Sequence, residues 1–158
     1  MNSALEMAKR LLVDSIWKSA NLEGLGTTFP NTEAILNNIP VSTSYNEVNF
    51  IINMRNAWQF VFESINYPID VMYLRKLNKL AGDRLFSGNG VIRSTSVGIG
   101  GTDWTPEIPN IDDIVSMLKS ILSIEDGIIR ALKCFCYIVR TQMFIDGNKR
   151  VAQLIANK

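Results

Sequence analysis

Apolar side chains recur at helical spacing through most of the chain. Leu5, Ala8, Leu11, Leu12, Ser15, Ile16 and Ser19 share one face of an amphipathic first helix that stops at Gly24 and Gly26. A short helix follows over about 31–38, capped by Asn31 or Thr32, and Pro40 ends that segment. Ser42, Thr43 or Ser44 then caps a long helix whose face is Val48, Ile51, Ile52, Trp58, Val61, Phe62 and Ile65, closed by Tyr67-Pro68. The pattern repeats over 69–81 through Val71, Leu74, Leu77 and Leu80, and again over 111–122 through Ile114, Val115, Leu118, Ile121 and Leu122. Residues 128–139 are apolar on nearly all sides, interrupted only by Arg130 and Lys133, which predicts a helix in the middle of a bundle. A last helix begins near Asn148 and carries Val151, Leu154 and Ile155.

One stretch breaks the helical period. Residues 84–109 are rich in glycine, and Val91-Ile-Arg-Ser-Thr-Ser-Val-Gly-Ile99 alternates as a short strand or hairpin does. The fold class expected is therefore all-α, a helical bundle with a small β-hairpin flap. With 158 residues and neither an internal repeat nor a low-complexity linker, a single domain over 1–158 is expected.

Composition narrows the chemistry. Lys and Arg number 16 against 15 Asp and Glu, so net charge points to neither nucleic acid nor a membrane surface, and any anion site must be local. There is no histidine, which excludes Ser-His-Asp triads, Cys-His dyads and His-based metal hydrolysis within this chain. Cys134 and Cys136 have no metal-ligand spacing around them and are read as buried free thiols. The first ten residues lack the apolar core of a signal peptide, and no apolar run approaches the ~20 residues that span a bilayer. A soluble cytoplasmic protein is expected.

The chemistry concentrates in Thr141-Gln-Met-Phe-Ile-Asp-Gly-Asn-Lys-Arg150, between the last two helices. Gly147 permits a left-handed turn or a close backbone approach. Asn148, Lys149 and Arg150 then stand at a helix start, where unpaired N–H groups and the macrodipole already make the end positive. Basic residues there oppose the dipole, a conflict that a bound anion offsets, with Arg150 able to grip phosphate by two parallel hydrogen bonds. Asp146 could hold Mg²⁺ bridging to that phosphate. The same residues fit a plain helix start with Asp146 as its cap and the basic side chains in solvent, and on these features alone the two readings are equal.

Phe144-Ile-Asp-Gly-Asn-Lys-Arg150 resembles the signature of the Fic (filamentation induced by cyclic AMP) family, His-x-Phe-x-Asp/Glu-Gly-Asn-Gly/Lys-Arg, matching it at Phe144, Asp146, Gly147, Asn148, Lys149 and Arg150. With an apolar helix before the loop, a helix after it and an extended segment upstream, the resemblance covers the chain from about Ile51 to the end. It implies a Fic-type helical bundle that takes ATP as nucleotide co-substrate with Mg²⁺. Asp146 resembles the Mg²⁺ ligand, Gly147 and Asn148 the anion hole, and Arg150 the residue holding the outer phosphates. Phe144 resembles the aromatic that fixes the loop against the core. Residues Arg93, Ser94, Thr95, Ser96 and Val97 resemble the flap that aligns a target protein by strand addition, the target offering a Ser, Thr or Tyr hydroxyl.

The chain departs from the family where the family's proton transfer resides. Gln142 occupies the position of the catalytic histidine, and a carboxamide has no basic nitrogen. General-base assistance is worth ~10²–10⁴-fold in rate, so transfer is expected to be impaired while phosphate binding is untouched. Lys149, with Gln153 where many members carry a second arginine, resembles the death-on-curing branch, which transfers phosphate; Gly147 resembles the adenylyl (AMP) transferases. A non-catalytic nucleotide-binding or regulatory module is the reading from a different class. Ser19-Ala-Asn-Leu-Glu-Gly24 resembles the family's inhibitory motif, Ser/Thr-x-x-x-Glu-Gly/Asn, with Ser19, Glu23 and Gly24 at the defining positions. Its other reading is a helix end with Glu23 in solvent. Family members continue with further helix beyond this loop, so the sequence also predicts exposed apolar surface around Leu154 and Ile155 and a tendency to homo-oligomers.

Overall fold

The computed structural model describes residues 3–158 and contains eight helices among them. In chain order they are α1 (Ser3–Arg10), α2 (Leu12–Leu22), α3 (Phe29–Leu36), α4 (Tyr45–Glu63), α5 (Val71–Ala81), α6 (Ile111–Leu122), α7 (Gly127–Thr141) and α8 (Asn148–Ala156). The sequence's single first helix is broken at Leu11, which is exposed rather than inward.

Local chemistry sets the starts of most helices. Thr28, not Asn31 or Thr32, caps α3, its hydroxyl accepting from the Asn31 N–H with Pro30 in the first turn. Ser44 caps α4 in a capping box: its hydroxyl accepts from the Glu47 N–H while the Glu47 carboxylate accepts from the Ser44 N–H. Asp70, Asn110 and Asp126 cap α5, α6 and α7 through their side-chain oxygens.

The helices pack in a bundle. α4 lies against α2, α3 and α5; α8 runs along α7 and rests on α5; and α6 packs on α7. Met54, Leu74, Leu77, Ile114, Ile138, Phe144, Val151 and Leu154 are sealed in one core. Burial of each Leu or Ile of this kind is worth roughly 1.5–3 kcal/mol. Leu154 and Ile155 belong to this core, so the expected exposure around them is not found.

Two further expectations are corrected. The segment 91–99 is extended but forms no strand, and the β-hairpin flap is not seen among the described residues. Its alternation finds no partner strand; the Arg93 N–H donates instead to the carbonyl of Met143 at 3.0 Å, in the loop before α8. α7 is not surrounded. Cys134 and Ile138 are buried in it, while Ile128, Ile129 and Leu132 face outward and Cys136 is exposed rather than buried. The sides facing α6 and α8 are covered, and Trp104 lies against Arg140 near its carboxyl end.

Candidate functional site

The site is built where α7 ends. Gln142 closes that helix in the left-handed conformation (φ 47°, ψ 61°), its N–H donating to Ile138. This backbone costs a non-glycine residue about 1–2 kcal/mol and must be held by its surroundings. Both ends of the Gln142 carboxamide are engaged. Nε2 donates to the Val139 carbonyl at 2.6 Å, and Oε1 accepts from Nδ2 of Asn148 at 2.9 Å. Asn148 in turn donates to the Phe144 carbonyl at 2.8 Å and accepts from the Phe144 N–H at 2.9 Å. One buried asparagine thus closes the loop from position 142 to position 148, with Met143 and Phe144 plugged into the core below.

Asp146 and Gly147 complete the turn. Asp146 Oδ1 accepts from the Gly147 N–H at 2.6 Å, and Oδ2 pairs with Arg150 at 2.9 Å. The Asp146 carbonyl accepts from Nδ2 of Asn78 at 2.8 Å. Gly147 has φ +78°, and a Cβ there would lie 2.9 Å from that same nitrogen, so the position requires glycine twice over. Gly147 is the cap of α8 and no side chain caps the helix. The first N–H groups of α8 are therefore left to an external acceptor.

Arg150 does not face the cup. Its guanidinium is buried beside the rings of Phe50 and Phe86, donating to the Ala81 carbonyl at 3.0 Å and to Asp146. The two parallel bonds expected to reach a phosphate go inward, and Arg150 holds Asp146 in place instead. Lys149 is the cation that lines the cavity in front of the loop, about 480 Å³ bounded also by Glu23, Gln142, Asp146, Gly147, Asn148 and residues 98–100.

The N-terminal motif reaches the same place. Glu23 Oε1 stands 3.6 Å from Lys149 Nζ, and the Ser19 hydroxyl donates to Oε1 of Gln153. Gly24 follows in the left-handed conformation (φ +76°), turning the chain away. Ser19 and Glu23, one helical turn apart, thus both meet α8.

The flap residues divide. Ser94, Thr95 and Ser96 are exposed, and Val97 is half-buried. Arg93, only 3% exposed, is no surface residue. Its guanidinium donates to the carbonyls of Gln142 (2.5 Å), Thr95 (2.7 Å) and Glu107 (2.6 Å), with longer contacts to Thr141 and Pro106. Burial lowers its pKa from the ordinary arginine value. It ties the segment 93–107 to the end of α7.

Sequence reasoning missed Asn78, fully buried on α5, which accepts from the Gly90 N–H at 2.7 Å while holding the Asp146 carbonyl. Its signal was a polar residue on the inward face of an amphipathic helix, next to Leu74 and Leu77. It also missed Val139 and Ile145, which line the cavity beside the polar residues.

No protein-family model matches the chain, and no curated protein matches it by sequence. Solved structures do. Over 99% of this chain it superposes on Fic-1 from C. elegans with TM-score 0.79 and 26% identity. A Fic family protein from Desulfovibrio desulfuricans matches over 96% with TM-score 0.80 and 17% identity. A Fic domain-containing signaling protein from Bacteroides thetaiotaomicron matches over 94% with TM-score 0.77 and 18% identity. The chain spans 50%, 48% and 61% of the lengths of these three, so about half of the first two and about two fifths of the third lie outside the match.

Proposed function

We propose that this chain, whose fold is that of Fic-domain proteins, binds the phosphates of ATP at the amino end of α8 and does not transfer them, Gln142 having become a structural tie in place of a base. The observation that carries this reading is the Gln142 carboxamide, bonded at one end to Val139 and at the other to Asn148. Such a group neither titrates near neutral pH nor has a free nitrogen to take a proton from a target hydroxyl.

The binding half rests on charge. The α8 amino end supplies unpaired N–H groups and the positive end of a dipole, and Lys149 supplies a cation at its rim. Asp146 fits Mg²⁺ carried in with a nucleotide. Its carboxylate is half exposed, and Mg²⁺ is commonly held by one or two carboxylates plus substrate phosphates. No cluster of three His, Cys, Asp or Glu among the described residues forms a cage for a metal by itself. When bound, the ion would neutralise phosphate charge; Asp146 would hold it, and Arg150 would hold Asp146.

Glu23 deepens the reading. Its carboxylate already engages Lys149, so an incoming phosphate must compete with it. The chain then acts as a nucleotide-binding domain restrained by its own second helix.

Incubation with ATP labelled separately at the α- and γ-phosphates tests this, using a candidate hydroxyl-bearing protein and the chain with Gln142 or with Gln142→His. No label is expected to leave ATP with Gln142 in place. α-Label transferred by the histidine variant supports descent from an AMP transferase. Transfer of either label by the unaltered chain overturns the proposal, γ-label favouring phosphate transfer in the death-on-curing manner.

A further inference from the structure

A second hollow, of about 500 Å³, shares no lining residue with the cup. It is an open groove between residues 104–110, α6 and the last turn of α7. Its walls are set before anything binds. Pro106 and Pro109 fix the backbone of one wall. From behind, the Arg93 guanidinium donates to the carbonyls of Glu107 at 2.6 Å and Thr141 at 3.3 Å, joining that wall to α7. Trp104, Ile108 and Met117 line the groove and are 44%, 57% and 45% exposed. The Arg140 guanidinium lies 4.3 Å from the Trp104 ring centroid, so this indole already accepts one cation.

The charge beside these apolar side chains is one-sided. Residues 94–118 carry Asp103, Glu107, Asp112 and Asp113 and neither lysine nor arginine, in a chain of net charge +1. Asp112 and Asp113 suit the amino end of α6, but Glu107 serves no helix. None of the four forms an ion pair among the described residues. Glu107 and Asp113 line the groove; Arg140 is the one cation that does, while Lys119 and Lys133 lie outside its lining.

We propose that this groove docks a segment of a partner protein in which an apolar or aromatic anchor is flanked by lysine or arginine. The anchor would sit among Trp104, Ile108 and Met117, with the basic side chains toward Glu107 and Asp113. A purely apolar occupant would desolvate two unpaired carboxylates, and an acidic one would oppose them. The same groove of a second copy would bring a like-charged rim against this one. A small amine would meet the carboxylates yet leave the apolar side chains uncovered.

Selection of a random heptapeptide phage library on the immobilised 158-residue chain tests this. Enriched peptides should combine Trp, Phe or Leu with Lys or Arg. Binding of the best of them, synthesised and followed by fluorescence anisotropy, should weaken about tenfold or more with Trp104→Ala or Met117→Glu. Glu107→Gln with Asp113→Asn should weaken it about threefold to tenfold, a loss that shrinks in high salt. Trp104 and Met117 lie outside the core, so circular dichroism and thermal unfolding should be unchanged by either variant. The proposal is overturned if no peptide is enriched, if the enriched peptides are acidic or lack a cation, or if their binding ignores these variants. A change in sedimentation on Met117→Glu without peptide would assign the groove to a second copy and overturn it as well.

Discussion

Nδ2 of Asn148 lies 2.9 Å from Oε1 of Gln142, joining the first residue of the last helix to the residue that ends the helix before it. Around this contact the loop is closed by side-chain amides rather than by a titrating group. Asn148 is buried with all of its bonds inside the loop, so its removal orphans the Phe144 backbone. Asn148→Ala should cost roughly 2–3 kcal/mol, and Gln142→Ala about 1 kcal/mol, since Gln142 is only partly buried. Urea midpoints measure both. Equal small losses would mean that the amide tie contributes little.

Arg93 holds three stretches of chain through their carbonyls. Arg93→Lys should destabilise by roughly 2–4 kcal/mol, because one ammonium cannot replace the planar fork and several buried acceptors are left unpaired. A role confined to reading a target would leave the unfolding midpoint unchanged.

Arg93 and Arg150 mark the limit of what the sequence discloses. The boundaries of α6, the start of α8 and a cap for α4 within residues 42–44, which the structure places at Ser44, are legible because each rests on local chemistry: period, glycine position and a short polar side chain. The turn at Asp146 and Gly147 is legible for the same reason. What Arg93 and Arg150 do is not legible, because an arginine in a loop or at a helix start reads as a surface cation. Only the folded chain reveals that backbone carbonyls and aromatic rings enclose them. The flap fails as a strand because alternation specifies a face, and pairing also requires a second strand at hand. The all-round apolar character of α7 predicted enclosure, yet hydrophobicity alone does not say from where the cover comes.

The Glu23–Lys149 pair makes binding sensitive to a single charge. Glu23→Gln should tighten ATP binding by about twofold to fivefold, the worth of a partly exposed ion pair, and Lys149→Gln should weaken it. Calorimetric titration at two salt concentrations checks this. A Glu23→Gln variant that binds more weakly would assign the carboxylate to binding rather than restraint.

Acid should loosen the start of α4. The hydroxyl of Thr43 first, then the Ser44 N–H and hydroxyl, hold the Glu47 carboxyl below its ordinary value of 4.5. A lowered folded-state pKa means that this stabilisation is fully present above 4.5 and is lost as pH falls through the depressed value. Thermal unfolding of Glu47→Gln should therefore vary less with pH in that acid range than the unaltered chain does. Ser44→Ala should cost about 1 kcal/mol at neutral pH. Parallel acid profiles for Glu47→Gln and the unaltered chain would remove Glu47 from the account.

The central claim is that binding has outlived the group that moves a proton. Isothermal titration of ATP with Mg²⁺ into the unaltered chain and into Gln142→His tests it most directly, with Glu23→Gly as a second background to relieve the restraint. The account predicts saturable binding in every form, the affinities of the unaltered chain and of Gln142→His lying within about tenfold of each other. Absence of binding to the unaltered sequence even with Glu23→Gly would contradict it.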